Sequence, residues 1–584
     1  GGEEFQRLHE ILISHDDVAG LFEILSQRIH HFADPDRRGP VLVRYLVERA
    51  NLRLRLRDDL GAARDLGSAL EIDPAHPEAL FLRAGALVRL GEAGDAARHY
   101  QGFLERAGDD DPRRGQAELA LAEILAENMD DLSGAVAQLE NVMRQASADL
   151  SVRERLIDVL LRAGENRRAA DELRTLERLR PSSADKARDQ LRLARLLRDK
   201  LGERGSGLAA LERARELDPL ASEPVRQLVE LYPEGDERRQ RVLVRSAADL
   251  RTAIAAEPGR ASLYERLAAI AHWTGDSETR AIALAAQASL GSVSPEHRRF
   301  VADWSARPPA ELDLARMSHA LGPADWSVLV DPGGGGFPAE LWSIIGPAVA
   351  TTLPREPRQL GFSKADRRRS KDLEHEAPAV LAFLRLFGCD QPELPDVYVA
   401  SGKPGYARAL AADRRALYLG ADVAAAHTAE ARFALGRACA LLHQGTSTLA
   451  ELAHQMLAAW FAAAAKLALG EVPRVLLSGT DARRQEDLVK QLDKHLDRRG
   501  HKSLAATEHG FAAIGDLGAW RRAALRTGAR AGLLLCADLP AALDLLDLGP
   551  GARSLTDDRD ALSLLAWAVS GERMDLRRRL GLAS

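Results

Sequence analysis

Amphipathic helical patterns cover most of the chain, with small and apolar residues recurring every three or four positions. In the first half the pattern repeats. Alanine- or leucine-rich stretches end in an apolar-x-x-x-x-Pro tail at Pro74, Pro181, Pro219 and Pro258. These prolines are separated by nearly whole multiples of roughly 34 to 39 residues. Because proline lacks a backbone donor and ends a helix, the spacing predicts one helical hairpin per repeat.

A recurring glycine between the prolines is a second feature of the repeat. Gly91, Gly164, Gly202 and Gly275 follow amphipathic helices and precede polar helix starts, which predicts the turn inside each hairpin. Residues spaced by three and four share one face of the second helices, where we expect close contact with a neighbouring helix. These positions are Ala62, Leu66, Ala69, Ala96, Tyr100, Phe103, Ala135, Leu139, Val142, Ala169, Leu173 and Leu176.

The repeat segments "GEAGDAARHYQGFLE" and "GLAALERARELDP" resemble the second helix of tetratricopeptide repeats, whereas first helices such as "LFLRAGALVRLG" match that family less well. About six or seven units fit residues 5–290, with residues 222–244 irregular. The resemblance implies a stacked solenoid whose first helices line a groove for a peptide or a partner helix. A helical solenoid of another type is the alternative.

Polar residues on the first helices are the candidates for contacts in this groove. They are Asn51, Arg55, Arg83, Glu154, Asp158 and Arg192. For each residue the alternative is a solvated helix face without a partner. The pattern therefore predicts a protein or peptide partner without identifying it, and it leaves the oligomeric state open.

The repeat period is lost after about Ser305, and the run "DPGGGG" at 331–336 predicts a flexible break. We expect a repeat array over 1–300, a linker and helical connection over 301–355, and a further domain over 356–584. Within that domain, two β-rich runs at 397–399 and 416–419 predict a hairpin or a sheet edge. A helix follows from about Thr428.

This order of elements resembles the gluzincin clan of zinc metallopeptidases, where one helix carries H-E-x-x-H and a later helix supplies the third zinc ligand. In the helix "AEARFALGRACALL", Gly436, Arg437 and Ala440 stand where His, Glu and His would be. In "ALRTGARAGLLLCADLPAAL", the acidic positions have become Leu525 and Ala529. The resemblance implies a peptidase skeleton without metal, cofactor or catalysis. The alternatives are an unrelated helical domain with a short hairpin, and a metallopeptidase or other hydrolase whose site residues lie elsewhere.

Composition narrows the function classes further. The chain has 584 residues, is 46% hydrophobic and carries a formal charge of only -6 with its charges well mixed, which excludes a disordered chain and argues against nucleic-acid binding. Three well-separated cysteines, Cys389, Cys439 and Cys536, indicate a reducing compartment. The most apolar stretch, 449–469, contains charged residues and predicts no membrane span. We therefore expect a mainly α, cytoplasmic, non-catalytic interaction scaffold, although an N-terminal targeting signal is not visible in this sequence.

Overall fold

The structure is a computed structural model that describes residues 2–15, 17–32, 39–108, 110–145, 147–291, 293–314, 316–412, 414–476, 482–548 and 555–582. The chain divides into two compact units, Gly1–Leu228 and Val229–Ser584. The expected array at 1–300 therefore extends beyond the first unit, and its last hairpins belong to the second. The predicted fold class, a helical repeat array followed by a mostly helical region with a small sheet, is confirmed.

The first unit is built from α-helices. They are α1 (Gly2–Ser14), α2 (Val18–His31), α3 (Pro40–Arg55), α4 (Asp59–Ile72), α5 (Pro77–Leu90), α6 (Ala93–Leu104), α7 (Arg114–Glu127), α8 (Leu132–Gln145), α9 (Leu150–Arg162), α10 (Asn166–Leu179), α11 (Ser183–Asp199), α12 (Arg204–Leu217) and α13 (Ser222–Leu231), within which the division between the units falls.

The hairpins follow the predicted marks. Helices α3 to α12 pack as successive hairpins, α3 with α4 through α11 with α12. Each turn glycine has a positive φ: 80° at Gly91, 75° at Gly164 and 70° at Gly202. A Cβ at these three positions would meet no atom within 4 Å, so the left-handed backbone, rather than space, is what requires glycine. The second helices α4, α10 and α12 end two residues before their prolines, as predicted.

The predicted contact faces are buried. Every one of the twelve positions is at most 5% exposed, and Ala62, Ala96, Ala135 and Ala169 are 0% exposed. Alanine at these points lets the second helix of a hairpin lie close to its neighbours, while the larger residues one turn away fill the remaining space. Burial of this continuous apolar face between adjacent hairpins is what stabilises the array, since one hairpin alone cannot cover it.

The second unit is built from further helices and a small sheet. Its helices are α14 (Glu237–Ala256), α15 (Ala261–Thr274), α16 (Ser277–Leu290), α17 (Pro295–Ser305), α18 (Pro323–Leu329), α19 (Phe337–Ala350), α20 (Ser370–Glu376), α21 (Pro378–Leu386), α22 (Ala421–Ala425), α23 (Ala429–His443), α24 (His454–Leu469), α25 (Ala482–His495), α26 (Arg498–Ala506), α27 (Leu517–Cys536), α28 (Leu539–Asp544), α29 (Arg559–Ala568) and α30 (Gly571–Arg579).

The sheet has the order β1-β2-β4-β3, with β1 (Arg367–Arg368), β2 (Asp396–Ala400), β3 (Ala407–Ala411) and β4 (Arg415–Gly420). The two strands that the sequence predicts, β2 and β4, are parallel neighbours and do not form a hairpin. The hairpin is instead made by β3 and β4, which pair antiparallel. The sequence "ARALA" of β3 is poor in β-branched and aromatic residues, so local preference gave no sign of a strand there.

The predicted flexible break at 331–336 is wrong. Asp331 is 4% exposed and accepts hydrogen bonds from Arg526 and Arg530 of α27, at 2.8 Å and 3.0 Å. A Cβ on Gly333 would lie 3.1 Å from the Cβ of Ala523, and one on Gly334 would lie at an ordinary contact distance of 3.5 Å from the backbone nitrogen of Ala524, so the glycine run packs against α27. Composition alone cannot distinguish a glycine run that packs against a helix from a flexible one.

The last helical hairpin, α15 with α16, is joined to the C-terminal helix α30 by buried charges. Glu278 on α16 is 3% exposed and pairs with Arg573 at 3.1 Å and Arg577 at 2.7 Å. Burial lowers the pKa of Arg573 to about 10. A carboxylate shared by two buried guanidinium groups links these helices within one unit. Among the described residues, none of the helices has the length and apolar character needed to cross a membrane.

Candidate functional site

The polar residues predicted on the first helices mostly bond to each other or to adjacent repeats. Asp158 on α9 pairs with Arg192 on α11 at 2.8 Å, and Glu154 pairs with Arg180, which also contacts Asp189. An exposed pair such as Asp158–Arg192 contributes about 0 to 1 kcal/mol, so it aligns neighbouring helices more than it stabilises them. Asp189, in contrast, is buried.

The remaining three candidates lie nearer the start of the array. Asn51 on α3 donates to Glu78 on α5 over 3.4 Å. Arg83 on α5 packs its guanidinium group against Gly67 of α4. Arg55 is exposed at the end of α3 and has contacts of its own. A role of these residues in partner binding stays a prediction.

The ion pairs also show which helices are neighbours. First helices bond to first helices, as in Asp158–Arg192 and in Arg195–Glu223 at 3.0 Å between α11 and α13. Second helices bond to second helices, as in Glu140–Arg168 between α8 and α10. The array therefore has two layers, and the first helices form a continuous layer with charged side chains along it.

In the second unit, α23 and α27 pack against each other at close range through glycines. A Cβ on Gly532 would lie 2.6 Å from the backbone oxygen of Phe433, and one on Gly528 would lie 2.7 Å from Leu441. Phe433, near the start of α23, contacts Gly532, and Leu441, further along α23, contacts the earlier residue Gly528 of α27. The two helices are therefore antiparallel. The contact is an apolar helix crossing with very little space between the backbones.

The positions predicted to be vestigial zinc ligands lie in or beside this crossing. Gly436 and Ala440 are buried one turn apart on α23, as expected. In a peptidase skeleton, Leu525 at the position of the third ligand would lie opposite Gly436. The atoms nearest to a Cβ at Gly436 belong instead to Leu535, Ala531 and Gly532, so this part of the resemblance is wrong.

The two positions on α27 are also accounted for. Ala529 is 2% exposed. Leu525 is partly buried and packs against the core cluster that contains Trp460 and Trp520. The glycines of α27 set the register of the crossing, and they place its closest approach more than one turn beyond Leu525.

Unlike Gly436 and Ala440, Arg437 on α23 faces a cavity. The cavity has a volume of about 610 Å³ and lies between α23, the first half of β3 and the 3-10 turn Ser447–Ala450. Its lining also includes apolar side chains: Phe433, Leu441, Leu360, Leu545 and Pro354. β3 is at the edge of the described sheet, so one side of the cavity is bounded by an edge strand.

The charged and polar groups of this cavity differ in whether they have partners. Arg408 of β3 and Glu451 form a two-pronged ion pair, at 2.5 Å and 2.7 Å. Arg437 has no ion-pair or hydrogen-bond partner within the part of the chain that the structure describes, and its Nε is buried. Burial lowers the pKa of Arg437. The hydroxyl of Ser447, a residue 5% exposed, likewise has no partner among the described residues.

Sequence reasoning placed Arg437 at a lost catalytic position and did not single out Ser447, Arg408 or Glu451. One signal was available. An arginine lies between Phe433 and Leu441 at spacings of four on an otherwise apolar helix face, which marks a polar group in an apolar surrounding. Among the described residues, no group of three or more His, Cys, Asp or Glu side chains is placed to hold a metal ion.

No family model matches this chain, and no curated protein matches it. Among solved structures, the chain is similar to YrrB, described as a TPR protein with an unusual peptide-binding site, at 16% identity over 31% of this chain and 90% of that chain, with a TM-score of 0.26. A MamA protein matches at 16% identity over 31% and 94%, also with a TM-score of 0.26.

The C-terminal part of a TPR repeat-containing protein from Cytophaga hutchinsonii matches at 15% identity over 50% of this chain and 98% of that chain, with a TM-score of 0.30. TM-scores this low carry no argument about this chain. Its architecture rests on its own hairpins.

Proposed function

We propose that this chain is a non-catalytic interaction scaffold of tetratricopeptide type, whose first-helix layer binds a protein or peptide partner. The observation that carries the proposal is the two-layer order of the array, in which first helices neighbour first helices from repeat to repeat. Such a layer presents side chains at regular intervals along one surface, which suits an extended or helical partner better than a small substrate.

Charge reversal tests the surface. In one variant, Arg155, Arg188 and Arg195 of the first helices become Glu. The matched control reverses three arginines of the second-helix layer instead: Arg167, Arg174 and Arg213. All six are exposed. Proteins captured by the wild-type chain from the lysate of its native cell are identified by mass spectrometry, and the same capture is repeated with each variant.

We expect a captured partner to be lost with the first-helix variant and retained with the control. A partner that survives the first-helix reversal and is lost with the control would refute the assignment of the binding layer. Circular dichroism of both variants checks that the array remains helical.

For the second unit, we propose a peptidase-like skeleton without peptidase chemistry. Gly436 and Ala440 in the α23–α27 crossing have no side chain that could bind zinc, and Arg437 is a poor general base because its guanidinium group holds its proton far above neutral pH. These features support the proposal, and the rival is a metallopeptidase or other hydrolase. Stoichiometric zinc in the purified chain, or cleavage of a fluorogenic peptide that Arg437→Ala abolishes, would favour the rival.

A further inference from the structure

Arg437 differs from the other arginines of the α23–α27 pair. Arg526 and Arg530 bond to Asp331, and Arg522 pairs with Asp560. On α23 itself, Arg432 donates to the backbone oxygen of Ala426 over 3.0 Å. Arg437 is half-buried, and its Nε is closed to solvent. Removing part of a charged group from water without a partner is costly, and proteins normally pair or hydrogen-bond such groups. Arg437 therefore lacks what this fold supplies to each of its neighbours.

A second polar group with the same deficiency lines the same cavity. Ser447 is 5% exposed, its hydroxyl has no protein partner among the described residues, and it comes from a different element than Arg437. An unpaired guanidinium group on the wall of a cavity fits an anion that accepts hydrogen bonds. The Ser447 hydroxyl is closed to solvent in this structure, so it reaches such an anion through a change of its χ1 rotamer. Glu451 does not fill this role, because Arg408 holds both of its carboxylate oxygens.

The other residues that line the cavity restrict the kind of ligand that can carry the anionic group. Apolar groups of Phe433, Leu441 and Leu545 form much of the wall. One guanidinium group balances a single negative charge, whereas a phosphate dianion would need further cations. The volume of about 610 Å³ lies in the range of small-ligand sites.

We infer that the cavity between α23 and β3 binds a carboxylate carried on an apolar group, with Arg437 pairing the carboxylate and Ser447 donating a hydrogen bond to it. Two sources share this chemistry: a free aliphatic acid, and the C-terminal carboxylate of a peptide that ends in an apolar residue. The site lies in the second unit, so it does not depend on partner binding by the repeats.

Binding to the full chain is measured by isothermal titration calorimetry with four probes. Octanoate and octanol test a free acid, while acetyl-Ala-Ala-Leu and its C-terminal amide test a peptide end. We expect at least one acid to bind, and its neutral counterpart to bind at least about tenfold more weakly, as the loss of a charge-assisted hydrogen bond predicts. The acid that binds identifies the source.

Variants then assign the residues. Arg437→Met keeps the bulk of the side chain and removes its charge, so it should weaken acid binding at least about tenfold while the melting temperature stays equal or rises. Ser447→Ala should weaken binding by a smaller factor. Arg498→Met makes the same chemical change on an exposed position of α26 and should leave binding unchanged.

Three results would overturn the inference: neither acid binds, the neutral probes bind as tightly as the acids, or Arg437→Met binds like the wild type. If Arg437→Met does not fold, the comparison of acid with alcohol and amide on the wild-type chain still decides whether a carboxylate is recognised. Arg437→Lys then tests the residue, since it keeps the charge and loses the planar two-pronged geometry, and intermediate binding is expected.

Discussion

The closest approach of α23 and α27 gives a graded prediction about stability. A Cβ added at Gly532 would lie 2.6 Å from the backbone oxygen of Phe433, where real Cβ contacts essentially never fall below 3.0 Å. A backbone oxygen cannot rotate away, so Gly532→Ala must push the two helices apart. A Cβ at Gly436 or Gly528 also comes within 2.7 Å of an atom, but that atom is the tip or branch of a leucine side chain that can change rotamer.

The magnitude follows from two opposing effects. Overpacking a well-packed contact costs about 1 to 3 kcal/mol. Replacing glycine by alanine inside a helix recovers about 0.5 to 1 kcal/mol of backbone entropy. Because the clashing atom is backbone, we place the overpacking cost in the upper part of that range, about 2 to 3 kcal/mol, and expect Gly532→Ala to lower the free energy of unfolding of the second unit by about 1 to 2.5 kcal/mol. Gly436→Ala and Gly528→Ala should cost less, with changes near zero if the leucines move freely.

Tryptophan fluorescence during urea unfolding is the assay, because all seven tryptophans lie in the second unit and report on it alone. Gly571→Ala is the matched control, since it lies in α30 and a Cβ there would meet nothing within 4 Å. It should be neutral or slightly stabilising. Two results would refute the ranking of the glycine contacts in this crossing: a Gly532→Ala chain as stable as the wild type, or a Gly436→Ala chain less stable than the Gly532→Ala chain.

Other predictions follow from burial. Ala214 is 0% exposed on α12, so Ala214→Trp should destabilise the first unit by about 1 to 3 kcal/mol in thermal unfolding followed by circular dichroism, whereas Ala209→Trp on the exposed face of that helix should not. Burial raises the pKa of Cys389 and Cys536 to about 12, so both stay neutral thiols at pH 8 and should react with a thiol reagent only after unfolding, and rapid labelling of the native chain would contradict this. Burial lowers the pKa of His443 below 6.5, so the unfolded chain binds this proton more readily, and the second unit should lose stability as the pH falls below about 6.5. His443→Gln should reduce that pH dependence, and an unchanged slope would show that His443 does not cause it.

The sequence by itself determined the helical array. Proline at the end of a second helix and glycine between two helices act within a few residues, and the alanine faces follow from helical periodicity, so each can be read without knowing the fold. That is why Gly91 and Gly164 adopt the left-handed turn and Ala169 lies buried, as predicted. The division between the units at Leu228 depends instead on contacts that the repeat pattern does not contain.

Only the tertiary structure decided which strands, loops and unpaired groups the C-terminal half contains. β3 has a sequence without strand preference and becomes a strand because β4 offers it backbone partners. The run at 331–336 is ordered because α27 supplies two arginines to Asp331. Arg437 is an ordinary arginine on an apolar helix until neighbouring elements half-bury it, and no carboxylate of the described residues pairs with it, so its unpaired charge is a property of what surrounds it. Contacts between residues far apart in the chain depend on which surfaces pack together, and local sequence preference does not determine that packing.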